Sequence, residues 1–208
     1  AFAYDGSLWH TNGTAAGTSR KLALLPGIDR REVDIGGLAN ELYFSTDSIG
    51  LENPLWRTDL VSPPTKVAES WDRWFYPSRG IFATPSGLLV SIYEGLAYVA
   101  ADLQAAVRVD VPVVVESAVP FGDGAAVRSR PPSEDSIFQV SGTGVAERIW
   151  KGAGWHRAPR NLVSIGTKLC FAGAGEGSTL GVELWCSNGR AAGTRLIKDV
   201  AAGTASGV

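Results

Sequence analysis

Residues 8–18 read LWHTNGTAAGT and residues 184–194 read LWCSNGRAAGT. Two near-identical eleven-residue phrases, 176 positions apart in a chain of 208, mark an internal repeat, and a repeat decides the fold reading before anything else. Working inward, Leu55-Trp56 opens a third copy, LWRTDL. Thr58 and Asp59 stand there where the outer copies have Thr11-Asn12 and Ser187-Asn188. Two weaker copies carry Tyr98 and Phe138 at the aromatic position. The markers Trp9, Trp56, Tyr98, Phe138 and Trp185 are separated by 47, 42, 40 and 47 residues. That spacing matches the period of a four-stranded propeller blade, about 40 to 50 residues.

The last unit divides into NLVSI (161–165), KLCFAGA (168–174), GVELWCSN (181–188) and TRLIKDV (194–200). Each is a short run of apolar, β-branched or aromatic residues bounded by Gly, Asn or Ser, and reads as a strand. Asn-Gly at 12–13 and 188–189 supplies the positive φ of a tight turn between third and fourth strands. No long segment has helical periodicity, since even LQAAVRVDV alternates at Val107, Val109 and Val111. The expected fold is therefore all-β, one small β-propeller over 1–208. It has five blades of four short antiparallel strands, with units near 1–30, 31–70, 80–112, 113–152 and 155–200. The first unit opens at AFAYDG, which matches a second strand and has no first strand before it. A closed ring then needs either a partner from 201–208, pairing the two termini, or a three-stranded blade.

Gly 25, Pro 11 and 45% hydrophobic residues suit an all-β domain rich in turns. A net charge of −2 with scattered Lys and Arg carries no nucleic-acid footprint. No apolar run reaches the roughly 18–20 residues of a transmembrane segment. Methionine is absent even at position 1, which implies that the chain begins after a trimming step. If the 168–187 hairpin is symmetric about Ser178, Cys170 and Cys186 face one another, at a separation a disulfide can span. The two open readings are a Cys170–Cys186 disulfide, with an oxidising compartment, and a pair of buried free thiols.

The segment ELWCSNGRAAGTRLIKDV resembles a repeat of general form ELW-x-S/T-D-G-T-x-x-G-T-x-L-V-K-D-I. That repeat occurs in secreted and surface proteins of bacteria. The likeness covers about 40 residues of the last unit, 30 of the second and 20 of the first. The third and fourth units lack the Trp, the Asp/Asn-Gly turn and the Gly-Thr step. The resemblance implies a propeller and a secreted or cell-surface location, and it transfers no catalytic residue. The chain is also broadly similar to five-bladed lectin propellers, without a sugar-binding motif of theirs.

The repeated Leu-Trp pairs read as packing between blades, and Thr14, Thr18 and Thr194 as turn caps. GAGEGSTLG (173–181) lacks the Gly-Lys-Ser/Thr ending of a phosphate loop and reads as a hairpin loop. Asn12-Gly13-Thr14 fits a glycosylation pattern but sits in an expected tight turn. His10 and His156 are distant, the cysteines are better used as a pair, and no metal set or cofactor motif emerges. Asp47, Glu52, Asp123, Glu134 and Asp135 are loop carboxylates whose separations nothing in the sequence sets. Asp47 and Glu52 share one loop and have oxygen donors of the calcium type.

Two segments outside the repeat stand apart. ESWDRWFYPSRG (69–80) and WKGAGWHRAPR (150–160) join successive units and pack aromatics beside Arg, Asp and His. Connections on a rigid scaffold are where binding residues gather, and this composition suits stacking on a sugar or gripping a peptide. The expected contacts are Trp71, Arg73, Trp74, Tyr76, Trp155 and His156. The opposing reading is that these aromatics plug the seams between blades. The function expected is a non-catalytic, extracytoplasmic binding module for a glycan or a protein or peptide partner. The alternatives are a propeller lyase or hydrolase using channel-mouth carboxylates and Arg, and a structural repeat fragment of a larger surface protein.

Overall fold

The structure, a computed structural model, describes residues 1–4, 7–23, 33–46, 55–67, 77–92, 95–102, 106–109, 111, 115–129, 135–154 and 159–207. The described residues form strands, turns and one 3₁₀ turn at Ala191–Gly193. The strands make five antiparallel meanders. The first sheet is β1 (Phe2–Tyr4), β2 (Ser7–His10) and β3 (Ser19–Ala23). The second is β4 (Val33–Leu38), β5 (Glu41–Thr46), β6 (Leu55–Thr58) and β7 (Thr65–Lys66). The third is β8 (Pro77–Thr84), β9 (Gly87–Ile92), β10 (Gly95–Ala100) and β11 (Ala106–Val109). The fourth is β12 (Val115–Phe121), β13 (Gly124–Ser129), β14 (Ser136–Val140) and β15 (Ala146–Lys151). The fifth is β16 (Arg160–Ile165), β17 (Lys168–Gly173), β18 (Glu183–Ser187) and β19 (Arg195–Lys198).

In the four-stranded sheets the first two strands are joined by two residues, 39–40, 85–86, 122–123 and 166–167. Such short connections hold neighbouring strands in register. The third sheet starts at Pro77 rather than near 80, because Pro77 pairs with Ile92 across an irregularity that precedes Ile81.

The core lies between sheets. Leu8 packs with Phe44, Ile35, Trp56 and Leu60 at the first seam. Tyr43 and Leu55 meet Ile81, Leu88, Val90 and Ile92 at the second. Leu89, Leu96 and Tyr98 meet Val115, Val127 and Phe138 at the third. Ile137, Ile149 and Trp150 meet Leu169 and Phe171 at the fourth. Side chains alternate across a strand, so β9 sends Leu88, Val90 and Ile92 to one seam and Leu89 to the other. A strand packed on both faces reads as a continuous apolar run, which is why GLLVSI shows no alternation in sequence. Each of β4, β8 and β12 contacts the first strand of the next sheet, and β1 touches β4. Among the described residues no buried apolar cluster joins the fifth sheet to the first.

The repeated phrase builds the same loop twice. Gly13 and Gly189 both have φ of +92°, a conformation that favours glycine. The sequence leads to a tight turn here, but the loops run 11–18 and 188–194 and are closed by side chains. Thr11 Oγ1 accepts from the Gly13 N–H and lies 2.7 Å from Thr18 Oγ1. Ser187 Oγ accepts from the Gly189 N–H and lies 2.7 Å from Thr194 Oγ1. Asn12 Oδ1 accepts from Thr14 N–H, and Asn188 Oδ1 from Arg190 N–H. The third copy keeps this pattern with a different residue at the bend. Thr58 Oγ1 accepts from Leu60 N–H, and Leu60 has φ of +65° where the others have glycine. Hydrogen bonds from the backbone N–H of Ser62 and of Val61 hold the Asp59 carboxyl below its ordinary range.

The first sheet has three strands among the described residues. Residues 201–207 do not pair with it and instead fold against the fifth sheet. Gly181 N–H donates to Gly203 O and Gly207 N–H to Val182 O, both at 3.0 Å. The fully buried Glu183 carboxylate accepts from Val200 N–H at 2.6 Å and from Gly207 N–H at 3.1 Å.

Candidate functional site

Trp71, Arg73, Trp74, Tyr76, Trp155 and His156 lie outside the described residues, as do Asp47, Glu52 and Glu134. In sequence the first four fall between β7 and β8, and the last pair of the six between β15 and β16. Both connections run from the last strand of one sheet to the first strand of the next, so each leaves the sheet end where first strands start. The described residues on either side of 155–158 supply defined ground.

That ground is the end of the seam between the fourth and fifth sheets. Trp150, at the end of β15, is nearly buried and packs edge-on to Phe171 at 5.3 Å and to Trp185 at 6.2 Å. Glycine permits the approach. A Cβ on Gly152 or Gly173 would meet the Trp150 ring at 3.0 Å, and one on Gly175 would meet Trp185 at 3.2 Å. With no side chains in the way, Gly152 and Gly175 form a β-bridge. Ala153 N–H donates to Ala174 O and Glu176 N–H to Lys151 O, each at 2.9 Å. Lys151 and Glu176 form an ion pair over this bridge. The Gly-rich loop read as a hairpin connection is thus also a clasp between sheets. The seam-filling role weighed for the aromatics is the one Trp150 takes.

The same end of the fourth sheet carries a charged cluster. Arg128 on β13 places Nη1 2.8 Å from Glu116 Oε2 on β12 and Nη2 3.7 Å from Asp135 Oδ1 just before β14. Asp135 is buried, and its carbonyl accepts from Gly152 N–H at 2.8 Å. One guanidinium lies between two carboxylates of its own sheet, close against Glu116 and at ion-pair distance from Asp135. Asp123 has a structural task at a hairpin: its Oδ2 accepts from Gly142 N–H at 3.2 Å, and its carbonyl accepts from Ser86 Oγ at 2.8 Å across the sheets.

The cysteines are joined. Cys170 and Cys186 are directly opposed on β17 and β18, with Cα atoms 4.1 Å apart, and form a disulfide. Leu169 and Phe171, their neighbours on β17, face the fourth sheet, so the disulfide lies on the opposite face. His10 is exposed on β2. Among the described residues no three His, Cys, Asp or Glu side chains gather as a metal site. No helix there is long and apolar enough to cross a membrane.

Sequence reading passed over Glu183 and the Arg128 cluster. Both had a signal: Glu183 is the first letter of the repeat's ELW, and Arg128 interrupts the apolar run GAAVRS. A charge inside a strand that is otherwise buried requires a partner.

No family model and no curated protein matches this chain. Among solved structures, the crystal structure of the tricorn protease resembles 94% of this chain at 18% identity, with a TM-score of 0.36. The chain spans 19% of that protein's length.

Proposed function

We propose that the five sheets are the blades of a five-bladed propeller acting as a non-catalytic, extracytoplasmic binding module. Its partner is a glycan or a protein or peptide, held by the connections 68–76 and 155–158 through Trp71, Arg73, Trp74, Tyr76, Trp155 and His156. The observation that carries this reading is the clasped seam of Trp150, Gly152, Gly173 and Gly175, from which the 155–158 connection leaves. A fixed base lowers the ordering cost that a binding segment pays. Arg128 lies between Glu116 and Asp135 of its own sheet, an arrangement that serves the scaffold. The Cys170–Cys186 disulfide supports a secreted or cell-surface location.

The test is a glycan array and a peptide-library pull-down with the intact chain. Trp74→Ala and Trp155→Ala should each weaken the selected ligand about tenfold or more, as loss of an aromatic anchor does. If neither ligand class binds, or both variants bind as the parent does, the proposal fails.

A further inference from the structure

Asparagine is a thermolabile residue, most of all when glycine follows it, and this sequence has two such pairs, Asn12-Gly13 and Asn188-Gly189. In the reaction the glycine backbone nitrogen gives up its proton and attacks the asparagine Cγ. An N–Cγ bond forms and ammonia leaves. Water then opens the succinimide to aspartate, or to isoaspartate with a backbone one carbon longer. The step needs a nitrogen free of its proton and a carboxamide able to swing onto it.

Both loops withhold these conditions in the same way. Ser187 Oγ accepts from Gly189 N–H at 3.1 Å, and Thr11 Oγ1 from Gly13 N–H at 3.0 Å. A nitrogen that donates to an oxygen is held in its protonated form. Each hydroxyl is itself fixed, Ser187 by Thr194 Oγ1 and Thr11 by Thr18 Oγ1, both at 2.7 Å. The carboxamides are engaged elsewhere. Asn188 Oδ1 accepts from Arg190 N–H at 3.2 Å, and Asn12 Oδ1 from Thr14 N–H at 3.1 Å. Each amide lies across its loop on a second glycine. A Cβ on Gly193 would meet Asn188 Cγ at 2.3 Å, and one on Gly17 would meet Asn12 Cγ at 2.2 Å. Gly189 in turn rests on the fourth sheet, where a Cβ would meet the Phe121 ring at 3.1 Å.

The second sheet shows what this loop accommodates. Asp59 stands at the same position, and its Oδ1 accepts from Val61 N–H at 2.8 Å and Ser62 N–H at 2.7 Å. An aspartate therefore fits the seat. An isoaspartate would displace the glycine whose φ of +92° sets the bend.

We propose that Asn188 and Asn12 are latent deamidation sites, and that the hydroxyls of Ser187 and Thr11 are the groups that hold them back. The intact protein is kept at mildly alkaline pH, and conversion at each asparagine is followed by peptide mapping with mass spectrometry. Synthetic peptides of residues 8–18, and of residues 184–194 with Cys186 alkylated, run beside it. Both asparagines should convert about tenfold or more slowly in the folded protein than in the peptides. Ser187→Ala should speed conversion at Asn188 by about tenfold, the factor one hydrogen bond carries, and leave Asn12 as it was. Thr11→Val keeps the side-chain shape, loses the hydroxyl, and should do the converse. Thr11→Ser, which installs the residue the other loop uses, should keep Asn12 at the parent's rate. Conversion of the folded protein at the peptide rate overturns the proposal, as does a rate at either asparagine indifferent to loss of its own hydroxyl. Acceleration at both sites by a single variant also overturns it, since that is general loosening of the fold.

Discussion

Glu183 holds Val200: the buried carboxylate of the repeat's ELW glutamate accepts the Val200 backbone N–H at 2.6 Å, seventeen residues along the chain. A second bond, from Gly207 N–H at 3.1 Å, brings residues 199–207 back onto the fifth sheet. Glu183→Ala removes two charge-assisted hydrogen bonds; Val200 N–H is left to find water, while Gly207 N–H keeps its bond to Val182 O. The expected loss is about 3 kcal/mol, with Glu183→Gln losing about half of that. Denaturant midpoints at neutral pH measure it, and proteolysis within 199–207 should quicken in parallel. An unchanged midpoint for the alanine variant would mean that the tail is held by other contacts.

Leu60 stands in the left-handed region, at φ +65°, where the two matching loops have glycine. It also packs against the Leu8–Phe44 cluster, so two effects compete. Leu60→Ala loses the packing and keeps the strain, while Leu60→Gly loses the packing and relieves the strain. The glycine variant should therefore be more stable than the alanine variant by about 1 kcal/mol, the reverse of the usual order. Thermal unfolding of the two proteins side by side decides the sign.

The Tyr43 hydroxyl donates to Glu41 Oε2 at 2.8 Å. Burial first, and then this bond to a carboxylate, push its pKa from 10.0 up to about 12. The unfolded chain gives up that proton near pH 10 and the folded chain keeps it, so this group's stabilisation is complete below pH 10 and is lost as pH rises towards 12. Tyr43→Phe should lose about 1 kcal/mol at neutral pH through the missing bond. Above pH 10 the gap between parent and variant should close, as denaturant titrations at stepped pH would register. A constant gap would contradict the assignment.

The Cys170–Cys186 disulfide closes a loop with a sequence separation of 16. Its removal by Cys170→Ala with Cys186→Ala should cost about 3 kcal/mol, the chain-entropy value for such a loop. Intact-mass measurement should find alkylation at both cysteines only after reduction. Alkylation of the untreated protein would remove the support for an oxidising compartment.

Much of the fold was legible in the chain because it is local. The strands expected at 161–165, 168–174, 181–188 and 194–200 lie at 160–165, 168–173, 183–187 and 195–198. A hairpin's register follows from its own turn and alternation, so the facing of Cys170 and Cys186 could be read from their symmetry about Ser178. Thr14, Thr18 and Thr194 were readable as turn caps for the same reason, whereas the parts played by Thr11 and Ser187 were not read. The candidate site was less so. Composition pointed to 69–80 and 150–160 but could not separate a residue that plugs a seam from one that meets a partner. Trp150 and Trp155 look alike in sequence, and Trp150 is set apart only by the glycines of two sheets closing around it.

The sequence by itself determined the repeat and, within it, the short strands, their meander order and the facing of the two cysteines, since a hairpin is set by its own turn and alternation. Tertiary structure alone decided which equivalent side chains are covered. Phe2 lies opposite Trp9 as Phe171 lies opposite Trp185, yet one is exposed and the other buried. Burial is set by the strand and the sheet that lie alongside, and those neighbours come from elsewhere in the chain.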